Sequence, residues 1–260
     1  MDFIFSIGFN LVPLLGGRGL KAMIFAAGLG TRFKPWTDHH PKALAVVNGK
    51  SLLQRNIEYL QEYKVQDIIV NVHHFADQIE AAVRANGGWG SRVVISDERD
   101  VVLETGGGLL KAKDLFTPGE RFITCNADIL TDLNIRKLIR FHETQKALIS
   151  FGVTDRKSSR VLLFDEENRL CGWRNVQTGE ERVSIANPNL VAKAYSCVVI
   201  FEYEIFELMK KAGFSGKFSL IDVYLKLAAH HRIMGYDHSG DRLVDVGKPE
   251  SLEIAETLFK

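Results

Sequence analysis

Two glycines, three cations and two aspartates in this chain have the types and spacing to handle a polyphosphate. Gly28 and Gly30 stand in the run Ala26-Ala27-Gly28-Leu29-Gly30-Thr31-Arg32-Phe33-Lys34-Pro35, and Pro41-Lys42-Ala43-Leu44 follows one short loop later. Glycine lets the backbone turn sharply and brings N–H groups up to a ligand with no Cβ in the way. Arg32, Lys34 and Lys42 add three cations within eleven positions. A turn lined with N–H groups and cations suits phosphate oxygens. Downstream, Asp128 follows the apolar run Phe122-Ile123-Thr124-Cys125, and Asp245 follows Leu243-Val244. Alone, each aspartate has a plainer reading, a loop cap or a turn. Together they suit Mg²⁺, a hard cation that prefers oxygen ligands.

Two familiar phosphate-binding patterns do not fit the first stretch. The P-loop string G-x-x-x-x-G-K-[ST] is missing, and Phe33 stands where a dinucleotide fingerprint needs its third glycine. Pro35 and Pro41 disfavour a long helix here, so the segment is expected to wrap its ligand as a loop. The string does resemble the signature of the sugar-1-phosphate nucleotidyltransferases, Ala-Ala-Gly-x-Gly-Thr-Arg-Leu-x-Pro-x-Thr-x-x-x-Pro-Lys-x-Leu. It matches at Ala26, Ala27, Gly28, Gly30, Thr31, Arg32, Pro35, Thr37, Pro41, Lys42 and Leu44, and departs at Phe33.

That resemblance runs from about Lys21 to Lys260 and carries expectations. Ala26, Ala27, Gly28, Gly30 and Thr31 would bind the nucleotide, with Arg32 on its outer phosphates and Lys42 reaching both the α-phosphate and the attacking sugar phosphate. Glu104-Thr105-Gly106-Gly107-Gly108 resembles an element of the members most similar to N-acetylmuramate-1-phosphate uridylyltransferase and mannose-1-phosphate guanylyltransferase. The glycines stand directly before Leu109, Leu110 and Ala112, where a helix N-terminus would point N–H groups at an anion or a base edge, and by the resemblance Glu104, Thr105, Gly106 and Gly107 would hold the nucleoside; the plainer reading is a flexible loop. Asp128 and Asp245 would fix Mg²⁺. Asn126, Trp173, Lys193, Tyr195 and Lys217 are the candidates for the sugar phosphate, although Cys197 stands where the family commonly has glycine. The implied reaction joins an NTP to a sugar 1-phosphate, releasing pyrophosphate. Uridylyl transfer to N-acetylmuramate or a hexose 1-phosphate leads. Guanylyl transfer to mannose or heptose 1-phosphate, cytidylyl transfer to phosphocholine and a silent sugar-nucleotide sensor are the alternatives. No Ser/His/Asp or Cys/His constellation is expected, and a sugar phosphate, already ionised at neutral pH, needs no general base.

The elements that must position these residues follow from pattern. Lys21–Phe25, Asp67–Val72 and Phe122–Cys125 are nearly continuous apolar runs, as central parallel strands are. Ser51-Leu52-Leu53-Gln54 is a capping box opening a helix with Leu52, Leu53, Ile57 and Leu60 buried. Helices are also expected over 76–85, 133–144 and 251–259, with Asp132 capping the second. Strands alternating with helices argue for βαβ units, with ligands at the carboxyl ends of the strands. A strand-rich half follows, with 160–164, 170–173 and 194–201 as an antiparallel set. The expected fold is α/β: a Rossmann-like mixed, mostly parallel sheet flanked by helices, with no β-helix domain. His73-His74 reads either as packing histidines or as one pocket-lining residue.

The chain has 260 residues, 46% of them hydrophobic and 25% charged, with a net charge of +1. That fits one soluble domain over 21–260 and gives no support for nucleic-acid or membrane binding. Residues 1–20 read as an extension from an upstream start or from cloning, or else as an arm touching a membrane or a second copy. Cys125, Cys171 and Cys197 read as buried free thiols in a reducing, cytoplasmic setting. A homodimer is left open.

Overall fold

A computed structural model describes residues 19–260; the reading of residues 1–20 falls almost wholly outside them. In chain order the elements are β1 (Lys21–Phe25), the short strands β2 (Val46–Val47) and β3 (Lys50–Ser51), α1 (Leu52–Glu62), β4 (Asp67–Val72) and α2 (Ala76–Ala85). Then come β5 (Arg92–Asp97), α3 (Glu104–Lys111), β6 (Phe122–Asn126), β7 (Ile129–Thr131) and α4 (Ile135–Gln145). The second half holds β8 (Ile149–Thr154), β9 (Arg160–Phe164), β10 (Leu170–Asn175), β11 (Glu181–Val183), β12 (Val191–Phe201) and α5 (Ile205–Lys211). It closes with α6 (Leu220–Ala228), β13 (Ile233–Asp237), β14 (Leu243–Asp245) and α7 (Ser251–Leu258).

One mixed sheet runs β11-β10-β9-β12-β6-β1-β4-β5, with β8 pairing β12 and β13. The β6-β1-β4-β5 part is parallel, and β12 pairs antiparallel with β6, β8 and β9. This is the expected α/β architecture. β1 shows why its sequence is apolar throughout. Ala22 and Ile24 point into a core shared with α1, α2 and α4, while Met23 points into a second core shared with α3, α5 and α6. A strand buried on both faces has no polar side to show.

A third, smaller core holds Phe33, Val47, Leu52, Leu130, Val244, Val246 and Ala255. It ties the loop after β1 to the separate β7–β14 ribbon and to α7. Phe33, the departure from the family string, is 2% exposed there and anchors the loop.

Three local expectations need correction. Asn134, not Asp132, caps α4 by accepting from Lys137 N; Asp132 instead holds the backbone and guanidinium of Arg242. The three glycines lie inside α3 rather than before it. Helical glycine costs about 1 kcal/mol each, and here close contacts require it. A Cβ on Gly106 would sit 2.4 Å from the Phe218 ring, one on Gly107 2.2 Å from Gly216 O, and one on Gly108 2.6 Å from Glu98 Oε1. Cys197 is half-buried, while Cys125 and Cys171 are buried as expected. Among the described residues no helix is long and apolar enough to cross a membrane.

Candidate active site

β1, β4 and β6 are parallel, so their carboxyl ends share one rim. The loop after β1 turns at Gly30, whose φ is +61° and where a Cβ would meet Thr37 Cγ2 at 2.8 Å. Thr37 Oγ1 and Phe33 N both donate to Gly30 O, at 2.9 and 2.8 Å. Gly30 is thus fixed by the protein's own packing. Gly28 differs: a Cβ there would meet nothing within 4 Å. No neighbour demands glycine at that position, so the space over its backbone is open to a ligand. Short 3₁₀ turns over 31–33, 36–38 and 42–44 replace the long helix that the prolines disfavour.

Lys42 leaves the last of these turns and pairs with the Asp128 carboxylate. The Asp128 backbone is held from three directions. Ala127 N donates to Phe25 O of β1, the buried Asn56 of α1 donates to Ala127 O, and Val246 N donates to Asp128 O. The β7–β14 pairing sets Asp245 opposite Ile129. Burial, then the Asp128 charge, raises the pKa of Asp245, and Arg156, Lys42 and Arg32 oppose that rise. Two carboxylates that repel each other among cations suit a hard divalent ion. No cluster of three or more His, Cys, Asp or Glu is found among the described residues. An ion here would therefore take its other ligands from water and phosphates, as Mg²⁺ does.

These groups open onto a cleft of about 530 Å³. Arg32, Asn126, Asp128 and Asp245 line it, together with Arg160, Trp173, Tyr195 and Gln177. Of the sugar-phosphate candidates, Asn126, Trp173 and Tyr195 line this cleft, although the Tyr195 hydroxyl is already engaged with Tyr224 Oη at 3.1 Å. Lys193 does not reach the cleft, because its ammonium sits between Asp155 and Asp237. Lys217 lies 3.7 Å from Glu104, exposed and outside the cleft.

Of the nucleoside element, Thr105 Oγ1 accepts from Leu220 N, and the N–H groups of Gly106 and Gly107 donate to Phe218 O. Those two N–H groups serve the fold, so the expectation that they face a ligand is corrected. Glu104 has φ +58°, a left-handed conformation that is costly for a side chain of its size. His73 Nδ1 contacts Glu98 O at 2.7 Å and takes the packing role.

Several site residues were not foreseen. Asn71 accepts from Ala26 N at 2.7 Å and donates to Glu98 Oε1 at 2.8 Å, so it anchors the start of the loop. Its signal was one amide inside the run Ile68-Ile69-Val70-Asn71-Val72. Glu98 is 1% exposed, with Oε2 unpartnered and its pKa raised by burial. Arg156 and Asn56 gave no local signal. Cys197 occupies a bulge in β12, between Tyr195 and Val199, with φ +58°. That backbone favours glycine. Burial and the charges of Asp128 and Asp245 push its thiol pKa up.

A Ser/His/Asp grouping does exist, contrary to expectation. Ser196 Oγ lies 2.8 Å from His238 Nε2, and His238 Nδ1 lies 3.4 Å from Asp241. Ser196 is 0% exposed, so no substrate can reach it as a nucleophile. The grouping is a core polar network.

N-acetylmuramate alpha-1-phosphate uridylyltransferase of Caulobacter vibrioides is 48% identical over 104 residues, 39% of this chain and 43% of that one. UTP–glucose-1-phosphate uridylyltransferase of Synechocystis is 28% identical over 204 residues, 72% of this chain and 50% of that one. The chain spans about half the length of these relatives. HddC from Yersinia pseudotuberculosis, solved with GMP-PN, superposes with a TM-score of 0.74 at 24% identity, over 93% of this chain and 100% of that one. A sequence model of the nucleotidyl transferase family matches residues 21–258, and the chain belongs to that family.

Proposed function

We propose that the protein transfers a nucleotidyl group from an NTP to a sugar 1-phosphate, with Mg²⁺ bound between Asp128 and Asp245. The carrying observation is that the open backbone at Gly28, the Arg32 guanidinium, Lys42 and two repelling carboxylates share one rim. Arg32 and the backbone from Gly28 to Thr31 would hold the β- and γ-phosphates. Lys42 would sit at the α-phosphate, its ammonium steadied by Asp128. An oxygen of the acceptor phosphate attacks the α-phosphorus, the bond to the bridging oxygen breaks, and pyrophosphate leaves. Positioning and charge carry such a reaction, since little covalent work falls to the protein. Mg²⁺, when bound, supplies charge neutralisation on the phosphates.

The leading acceptor is N-acetylmuramate 1-phosphate, with UTP as donor. Relatives named for that reaction align at 48% and 37% identity. Arg160 lines the cleft, makes no side-chain hydrogen bond or ion pair among the described residues and would suit a carboxylate on the sugar. Pyrophosphate release across four NTPs and a panel of sugar 1-phosphates, with and without Mg²⁺, tests the reading. UTP with N-acetylmuramate 1-phosphate should lead, and chelation should abolish the signal. A GTP and mannose 1-phosphate preference would reassign the substrates. Silence across the matrix with nucleotide still bound would sink the enzyme reading.

A further inference from the structure

The open backbone at Gly28 can receive a ligand in one place only if its loop leaves β1 in one place. Two hydrogen bonds hold that start. Ala127 N donates to Phe25 O at 3.0 Å, and Asn71 Oδ1 accepts from Ala26 N at 2.7 Å, two residues before Gly28. A side-chain amide can turn end for end with almost no change of shape. Turned, Asn71 would aim its N–H₂ at the Ala26 N–H, donor against donor, and the hold would be lost. Glu98 prevents this. Its Oε1 accepts from Asn71 Nδ2 at 2.8 Å, which leaves Oδ1 to face Ala26. Glu98 is itself held from β4, its N donating to Val72 O at 2.8 Å.

The fold alone gains little from a carboxyl at this position. Glu98 is 1% exposed and its Oε2 has no hydrogen-bond partner. A buried acceptor left unmet is costly, and an apolar side chain would avoid that cost. Helix α3 must also carry glycine at 108 to admit the pair. A Cβ there would come within 2.6 Å of Glu98 Oε1 and 3.0 Å of Asn71 Nδ2. What the pair supplies in return is one orientation of one amide. We infer that Glu98 is a positioning residue for nucleotide binding, acting through Asn71 on the start of the loop over 26–31. This rests on the proposed reading of that loop as the seat of the NTP phosphates. Glu98 does its part without touching the ligand.

Calorimetry on the full chain, with Mg²⁺ and non-hydrolysable analogues of UTP and GTP, tests this alongside urea titrations. Glu98→Leu removes the acceptor and the unmet oxygen together. The better-bound analogue should bind roughly 5–30-fold more weakly, while the urea midpoint holds or rises. Glu98→Gln can still offer an oxygen to Asn71 and should recover most of the affinity. Asn71→Ala should bind about as weakly as Glu98→Leu. The double variant should be no weaker than Asn71→Ala, because the two residues act in one chain. Wild-type affinity in Glu98→Leu would overturn the inference. So would additive losses in the double variant, or a Glu98→Gln as weak as Glu98→Leu. Weaker binding together with a lower urea midpoint in Glu98→Leu would overturn it too, leaving Glu98 a structural role. Wild-type protein that binds neither analogue would refute the nucleotide reading itself, and with it this inference.

Discussion

Gly28 and Gly30 stand two positions apart in one loop and are glycine for opposite reasons. Gly30 answers to the protein: its φ of +61° and the contact with Thr37 exclude a side chain. Gly28 answers to nothing in the protein, since the space beside it is open. The two alanine variants should therefore part. Gly30→Ala should lower unfolding free energy by about 1–2 kcal/mol, the cost of a left-handed backbone outside glycine. Gly28→Ala should leave stability within about 0.5 kcal/mol and weaken nucleotide binding instead. Denaturant midpoints and nucleotide titrations on both variants check this, and an unchanged nucleotide affinity in Gly28→Ala would remove the ligand from that space. The Gly-x-Gly pair was legible in sequence because both glycines and the cations after them fall within one short stretch of chain. Arg156 and Asn56 were not, because each acts through partners far along the chain.

At the scale of elements, α3 and the segment 216–220 form one unit. Phe218 O accepts from two α3 glycines, Phe218 N donates to Leu103 O, and Leu220 N donates to Thr105. An Ala at position 107 would drive a methyl to 2.2 Å from Gly216 O, a backbone atom that no side-chain rotation can clear. Gly107→Ala should cost about 1–3 kcal/mol, the usual range for overpacking, and should raise hydrogen exchange at 216–220. An unshifted denaturant midpoint would mean the segment yields freely. The run of glycines announced itself in the sequence, but its reason did not. Helix and loop are more than a hundred residues apart, and no periodicity reports a contact of that kind. The β1, β4 and β6 strands were readable because burial on both faces leaves a continuous apolar run. The α4 start was misjudged by two residues because Asp132 found a stronger partner in Arg242 than in a helix terminus.

For the molecule as a whole, the junction of β8, β12 and β13 depends on charge. Lys193 bridges Asp155 and Asp237 there. Burial would raise the pKa of Asp237, but hydrogen bonds from Lys193 and Ser239 prevail and bring it down from 3.8 to about 2. A carboxyl with a depressed folded pKa stabilises above its unfolded value and loses that contribution as pH falls through its folded one. The window is thus about pH 4 down to pH 2. Asp237 is 38% exposed, so solvent screening trims the worth of the clasp to about 1 kcal/mol. Asp237→Asn should be less stable than wild type by that amount at pH 7, with the difference gone by about pH 2. Parallel urea titrations at both pH values measure it, and a gap that persists at low pH would assign the loss to packing.

The site gathers a loop after the first strand, the end of β6 and the tip of β14. Lys42 and Asp128 alone lie 86 positions apart. No local stretch of chain can rehearse this arrangement on its own. On the proposed function, catalytic competence is a property of tertiary closure, and nucleotidyl transfer retained after stress or mutation would certify β1, β6 and β14 as folded together, not only the loop that carries the signature.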